Sequence, residues 1–69
     1  MEAKTTRRRV LDYIRENQKI ITTAPSVREI AEALDVSPPV VDYHVNRLIR
    51  QGLLVKHKEG RRLRYEFND

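Results

Sequence analysis

The 69-residue chain has no cysteine, no tryptophan, two glycines, three prolines, two histidines and no long hydrophobic run. Each shortage excludes something. Without cysteine, neither a disulfide framework nor a thiolate zinc site can staple a small fold. Two histidines, His44 and His57, cannot close a structural zinc site unless carboxylates complete it. No apolar stretch approaches the roughly 18 residues of a membrane span. Nothing apolar follows the opening Met-Glu-Ala-Lys, so no secretory signal is expected. The expected location is the cytoplasm, or the nucleoid in a bacterial or archaeal host. There is no Gly-rich phosphate loop, no nucleophile–base pairing at a workable spacing and no metal-ligand cluster. Neither catalysis nor a cofactor is therefore expected.

What the sequence does contain is charge and periodic apolar residues, 35% and 39% of the chain. That mixture suits one small folded domain over residues 1–69. A chain of this length buries only about 60% of its unfolded surface, so its core must be tightly patterned. The net charge is +4, which leans toward a polyanionic partner. Its distribution says more. Residues 1–19 carry +3, residues 20–52 carry −1 and residues 53–69 carry +2. The positive excess lies at the two ends.

Along the chain, Val10, Leu11, Tyr13 and Ile14 mark an apolar stripe on a helix expected at about 6–18, capped by Thr5 or Thr6. Ile20 to Thr23 reads as an extended connector or a one-rung strand. Ser26-Val27-Arg28-Glu29 has the capping-box pattern and opens a second helix at about 27–34 with Val27, Ile30, Ala31 and Leu34 at helical spacing. Ser37-Pro38 opens a third at about 38–51. Its apolar stripe is Val41, Val45, Leu48 and Ile49, with His44 on the flank as a packed core histidine, and Gly52 supplies a left-handed end. The period then changes to two. A hairpin wing is expected at about 53–67, with the turn at Glu59-Gly60 and Leu63, Tyr65 and Phe67 on one face.

Two helices joined by a tight turn, followed by a basic hairpin, form the winged helix-turn-helix pattern, an α+β (mainly α) fold of three helices and a two-stranded wing. An α-helix fits the major groove, where each base pair shows a distinct donor and acceptor pattern. Basic side chains on either side neutralise phosphate and release counterions. Arg47 on the exposed face of helix 3 is placed to read a guanine edge, and Arg50 to meet phosphate. Lys58, Arg61 and Arg62 surround the wing turn as phosphate contacts. Arg7, Arg8 and Arg9 crowd cations at the positive end of the helix 1 dipole, a local cost that suits phosphate contact by Arg7.

Residues 26–52 resemble the DNA-binding domain of the LexA repressor family. The likeness rests on Ser37-Pro38, Asp42, His44, Val45, Leu48 and Gly52, similar to that family's Ser-Pro-x-x-x-Glu-x-His-Leu-x-x-Leu followed by Gly. It extends from helix 1 to about residue 57. The wing, Gly60-Arg61-Arg62-Leu63-Arg64-Tyr65, is similar more distantly to MarR- and ArsR-type winged helices. The resemblance implies base contacts from Pro39, Val40, Asp42 and Tyr43, with Ser37 near a phosphate. Pro39 stands where the family has Asn, and Tyr43 where it has Glu. It implies double-stranded DNA as partner and transcriptional regulation as role. One domain this small contacts only a short half-site, so a homodimer on a palindrome or a partner domain is expected. The catalytic half of LexA has no counterpart in these 69 residues. Two other readings remain open: a winged-helix protein-interaction module, and a DNA or RNA binder without sequence preference.

Overall fold

The computed structural model describes residues 5–18 and 24–68. The elements are α1 (Thr6–Asn17), α2 (Val27–Leu34), α3 (Pro38–Arg50), β1 (Leu54–Glu59) and β2 (Arg62–Phe67). This is a winged helix-turn-helix: three helices, then a two-stranded antiparallel hairpin. The expected connector at Ile20 to Thr23 lies outside the described residues.

Helix starts follow local chemistry. Thr5 Oγ1 accepts from the Arg8 N–H at 3.2 Å, and Ser26 Oγ from the Glu29 N–H at 3.1 Å. Among the described residues only this Ser26 half of the capping box forms. Helix ends are as specific. Asp35 adopts the left-handed conformation (φ 56°, ψ 47°). Its N–H reaches the Glu32 C=O, and the Val36 N–H reaches the Ala31 C=O. This is a Schellman ending with aspartate where glycine is usual. Gly52 (φ 77°) ends α3 the same way, with Leu53 N–H on the Leu48 C=O. These two endings set the tight α2–α3 turn and the exit into the wing.

The core consists of Val10, Leu11, Ile14, Ala24, Ile30, Ala31, Val41, Val45, Leu48, Leu54 and Tyr65. Each large member contributes about 1.5–3 kcal/mol by leaving water. Helix 3 is central: α1, α2 and β1 all pack on it. Only Leu54 and Tyr65 of the hairpin are fully buried, so the wing is anchored at its base and exposed along its length. The register pairs Leu54 with Phe67 and Glu59 with Arg62. The two-residue loop is therefore Gly60-Arg61, one position later than the sequence pattern implies. Gly60 (φ 58°) takes the first loop position, where hairpins of this length require positive φ.

Helix 1 is held to the outer edge of β2 by a contact that periodicity does not reveal. Gln18 leaves the helix in an extended conformation (ψ 119°). Its amide Nε2 donates to the Tyr65 C=O at 2.6 Å, and its Oε1 accepts from the Tyr65 N–H at 2.6 Å. One side chain thus imitates a strand partner. The neighbouring rungs continue the pattern: the Ala24 N–H donates to the Leu63 C=O at 2.6 Å, and the Arg15 guanidinium lies 5.0 Å from the centre of the Phe67 ring. Burial pushes the Tyr65 phenol pKa up, and the Asp42 carboxylate adds to the effect, so the ring stays neutral in its place under helix 3.

Replacing Gln18 by Ala strands both backbone groups of a buried residue. The expected loss is about 1–3 kcal/mol in urea unfolding. A loss below about 0.5 kcal/mol would contradict the clamp.

Candidate nucleic-acid interface

Helix 3 buries Val41, Val45 and Leu48, and turns every fourth-residue neighbour of its other face to solvent. Pro39, Val40, Asp42, Tyr43, Asn46, Arg47 and Arg50 are all exposed. Two parallel pairs, each four residues apart, organise this face. The Arg47 Nη1 donates to the Tyr43 hydroxyl at 3.2 Å. The Asn46 amide donates to the Asp42 carboxylate at 3.4 Å. Such pairs hold side chains roughly in place at small energy, and neither uses all the donors and acceptors of its members. Asn46 was not singled out by the sequence pattern, although its position four residues after Asp42 was a readable signal.

The start of helix 3 is unusual in its backbone chemistry. A helix normally presents up to four free N–H groups at its first turn. Here Pro38 and Pro39 have none. The Val40 and Val41 N–H groups both bond to the Ser37 C=O, at 3.1 and 3.3 Å. No N–H from residues 38–41 is left for a ligand. The same accounting explains why Ser37 makes no capping bond despite its extended cap geometry: the groups it would cap are missing or committed. Ser37 itself is exposed.

Arg7, Tyr43, His44 and Arg47 line an open groove of about 400 Å³ with Thr5 and Thr6. Helix 1 thus brings a cation beside the middle of helix 3. His44 packs edge-on against Tyr43, with ring centres 5.2 Å apart, and its buried Nδ1 has no hydrogen-bond partner among the described residues. A packing role fits this placement.

The expected cost of three adjacent arginines at the start of helix 1 is largely relieved. Arg7 Nη1 donates to Gln51 Oε1 at 3.0 Å, beside the negative end of helix 3. Arg8 pairs with Asp12 at 3.2 Å. Arg9 Nη2 donates to the Leu34 C=O at 3.1 Å, on the negative end of helix 2. The run therefore ties helix 1 to both partner helices, a role invisible in the sequence because it depends on where helices 2 and 3 end.

The wing residues stand apart. Lys58, Arg61 and Arg62 are exposed at the hairpin tip. On the solvent face of the sheet His57 pairs with Glu66 at 3.0 Å. Ser37 and Arg50 sit at opposite ends of helix 3, about 20 Å apart at 1.5 Å per residue.

This architecture defines a winged helix-turn-helix domain with its third helix uncovered. Residues 4–63 match the MarR family, and the chain belongs to that family. It is also 39% identical over 61 residues to the LexA repressor of Corynebacterium jeikeium (strain K411). The match covers 87% of this chain and 22% of that repressor, so the chain spans about a fifth of this relative's length. No solved structure matches. Membership in this family of winged helices implies a DNA-binding transcriptional regulator. Among the described residues, no helix is long and apolar enough to cross a membrane.

The arginines separate by role on stability. Arg9→Ala is expected to lose about 0.5–1 kcal/mol as the end of helix 2 loses its cation. Arg47→Ala and Arg61→Ala are expected to stay within about 0.5 kcal/mol of the parent. Urea unfolding of the three variants checks this, and equal losses at all three would refute it.

Proposed function

We propose that this domain binds double-stranded DNA with sequence preference, as the reading head of a transcriptional regulator. Helix 3 enters the major groove. Pro39, Val40, Asp42, Tyr43 and Arg47 face base edges there. Ser37, Arg50 and Arg7 meet flanking phosphates, and the wing residues Lys58, Arg61 and Arg62 reach phosphate or the minor groove. The observation that carries this reading is the uncovered outer face of helix 3: every other helix packs behind it, and Arg47 lies in one groove with Arg7. Family membership and the likeness to a repressor support it. The role is binding, with no catalytic step, in the compartment that holds the DNA.

One such head contacts a short half-site, and specific affinity at physiological salt usually needs more interface than that. A homodimer on a palindrome, or a further domain, supplies it. The apolar exposed residues Val40, Tyr43 and Val55 (37%, 58% and 40% exposed) favour one rival, a protein-docking module.

Selection of bound sites from random duplex DNA at two salt concentrations decides between them. The expected result is an enriched palindrome. With five cations on phosphate, the slope of log K against log salt should be about −4 to −5 per protomer. Arg61→Ala should flatten it by about 1 and weaken all sites alike, whereas Arg47→Ala should change the preferred sequence. Retention without enrichment would leave a binder without sequence preference. No retention at low salt would favour the docking module.

A further inference from the structure

The exposed apolar edge at the start of helix 3 constrains what that part of the helix can read. Pro39 and Val40 are exposed, and Tyr43 lies one turn further along the same face. Neither Pro39 nor Val40 has a side-chain donor or acceptor. The backbone offers none either, because Pro38 and Pro39 lack N–H groups and the Val40 and Val41 N–H groups are spent on the Ser37 C=O. A base edge facing Pro39 and Val40 can form no hydrogen bond with them. In the major groove only one base edge gains from such a surface: thymine, whose C5-methyl group is apolar. Every base brings a polar group that this surface cannot pair, thymine's O4 included, but cytosine, adenine and guanine have no methyl contact to offset the lost water contacts.

Resting on the DNA-binding reading above, we infer that Pro39 and Val40 select thymine through its methyl group. The half-site then contains at least one position recognised by methyl contact. Hydrogen-bond readout begins further along the helix, at Asp42 and Arg47. The discrimination at the tip comes from the methyl contact, since polar edge groups of all four bases go unpaired there.

The test uses the 69-residue chain and two random duplex pools, one made with thymine and one with uracil in its place. Uracil removes the methyl group and leaves the pairing edge intact. In the thymine pool, one or two thymine positions per half-site are expected to be enriched, and those positions should lose their preference in the uracil pool. Duplexes of the selected site differing by that single methyl should differ about fourfold in affinity, the worth of one buried methyl-sized group. Val40 is exposed, so Val40→Ser should fold normally and bring the ratio toward one. Equal affinity for the thymine and uracil duplexes, with sequence preference otherwise retained, would overturn the inference while leaving the DNA-binding reading in place. Enrichment of no duplex in either pool would overturn both.

Discussion

The side-chain amide of Gln18, paired with both backbone groups of Tyr65, is the constraint on which the geometry of this small domain depends. An isolated two-stranded hairpin is marginal in water, and here only Leu54 and Tyr65 of the two strands are fully buried. The outer edge of β2 would otherwise expose unpaired backbone groups over a buried ring. Gln18 and the Ala24 N–H fill the place of a third strand there, and Arg15 against Phe67 extends the seam. Helix 1 is thereby tied to the wing, and both pack against helix 3. A basic wing is useful to a reading helix only if its position relative to that helix is fixed, so this seam connects stability directly to the proposed function.

Electrostatics divides along the same lines. The positive excess at the chain ends is not uniformly available to a partner. Arg8 and Arg9 are engaged with Asp12 and the end of helix 2. Arg7 bridges both roles: it bonds Gln51, yet it lines the groove with Arg47 and Tyr43. The wing cations at Lys58, Arg61 and Arg62 stand clear at the hairpin tip. The surface proposed to meet DNA is thus narrower than the net charge suggests: helix 3, one side of the helix 1 start, and the wing.

Much of the fold was legible because its signals are local. Ser26 and Thr5 cap as their residue types predict, Gly52 ends helix 3, and the apolar stripes of all three helices become the core. The change to period two at Leu53 foretold the wing. What escaped depends on long-range geometry. Gln18 read as a helix end, because nothing local says that its amide meets a strand 47 residues later. The arginine run read as a cost, because the compensating helix ends come from elsewhere in the chain. The hairpin loop fell at Gly60-Arg61 because register, set by Leu54 against Phe67, overrides the pattern at the turn. Of the candidate site, the exposed residues of helix 3 were legible from its amphipathic period. The pairings Tyr43–Arg47 and Asp42–Asn46, and the absence of free N–H groups at its start, emerge only in the folded structure.

The central claim is that helix 3 and the wing together form the surface that meets DNA. Backbone amide mapping by NMR during titration with a selected duplex tests it most directly, and a domain of this size suits the method. The account predicts shifts concentrated at Val40 to Arg47 and Lys58 to Arg62, with smaller ones at Thr6 and Arg7. The prolines report nothing, having no amide proton. Shifts confined to helix 2 and the far side of helix 1, with helix 3 and the wing unchanged, would contradict it.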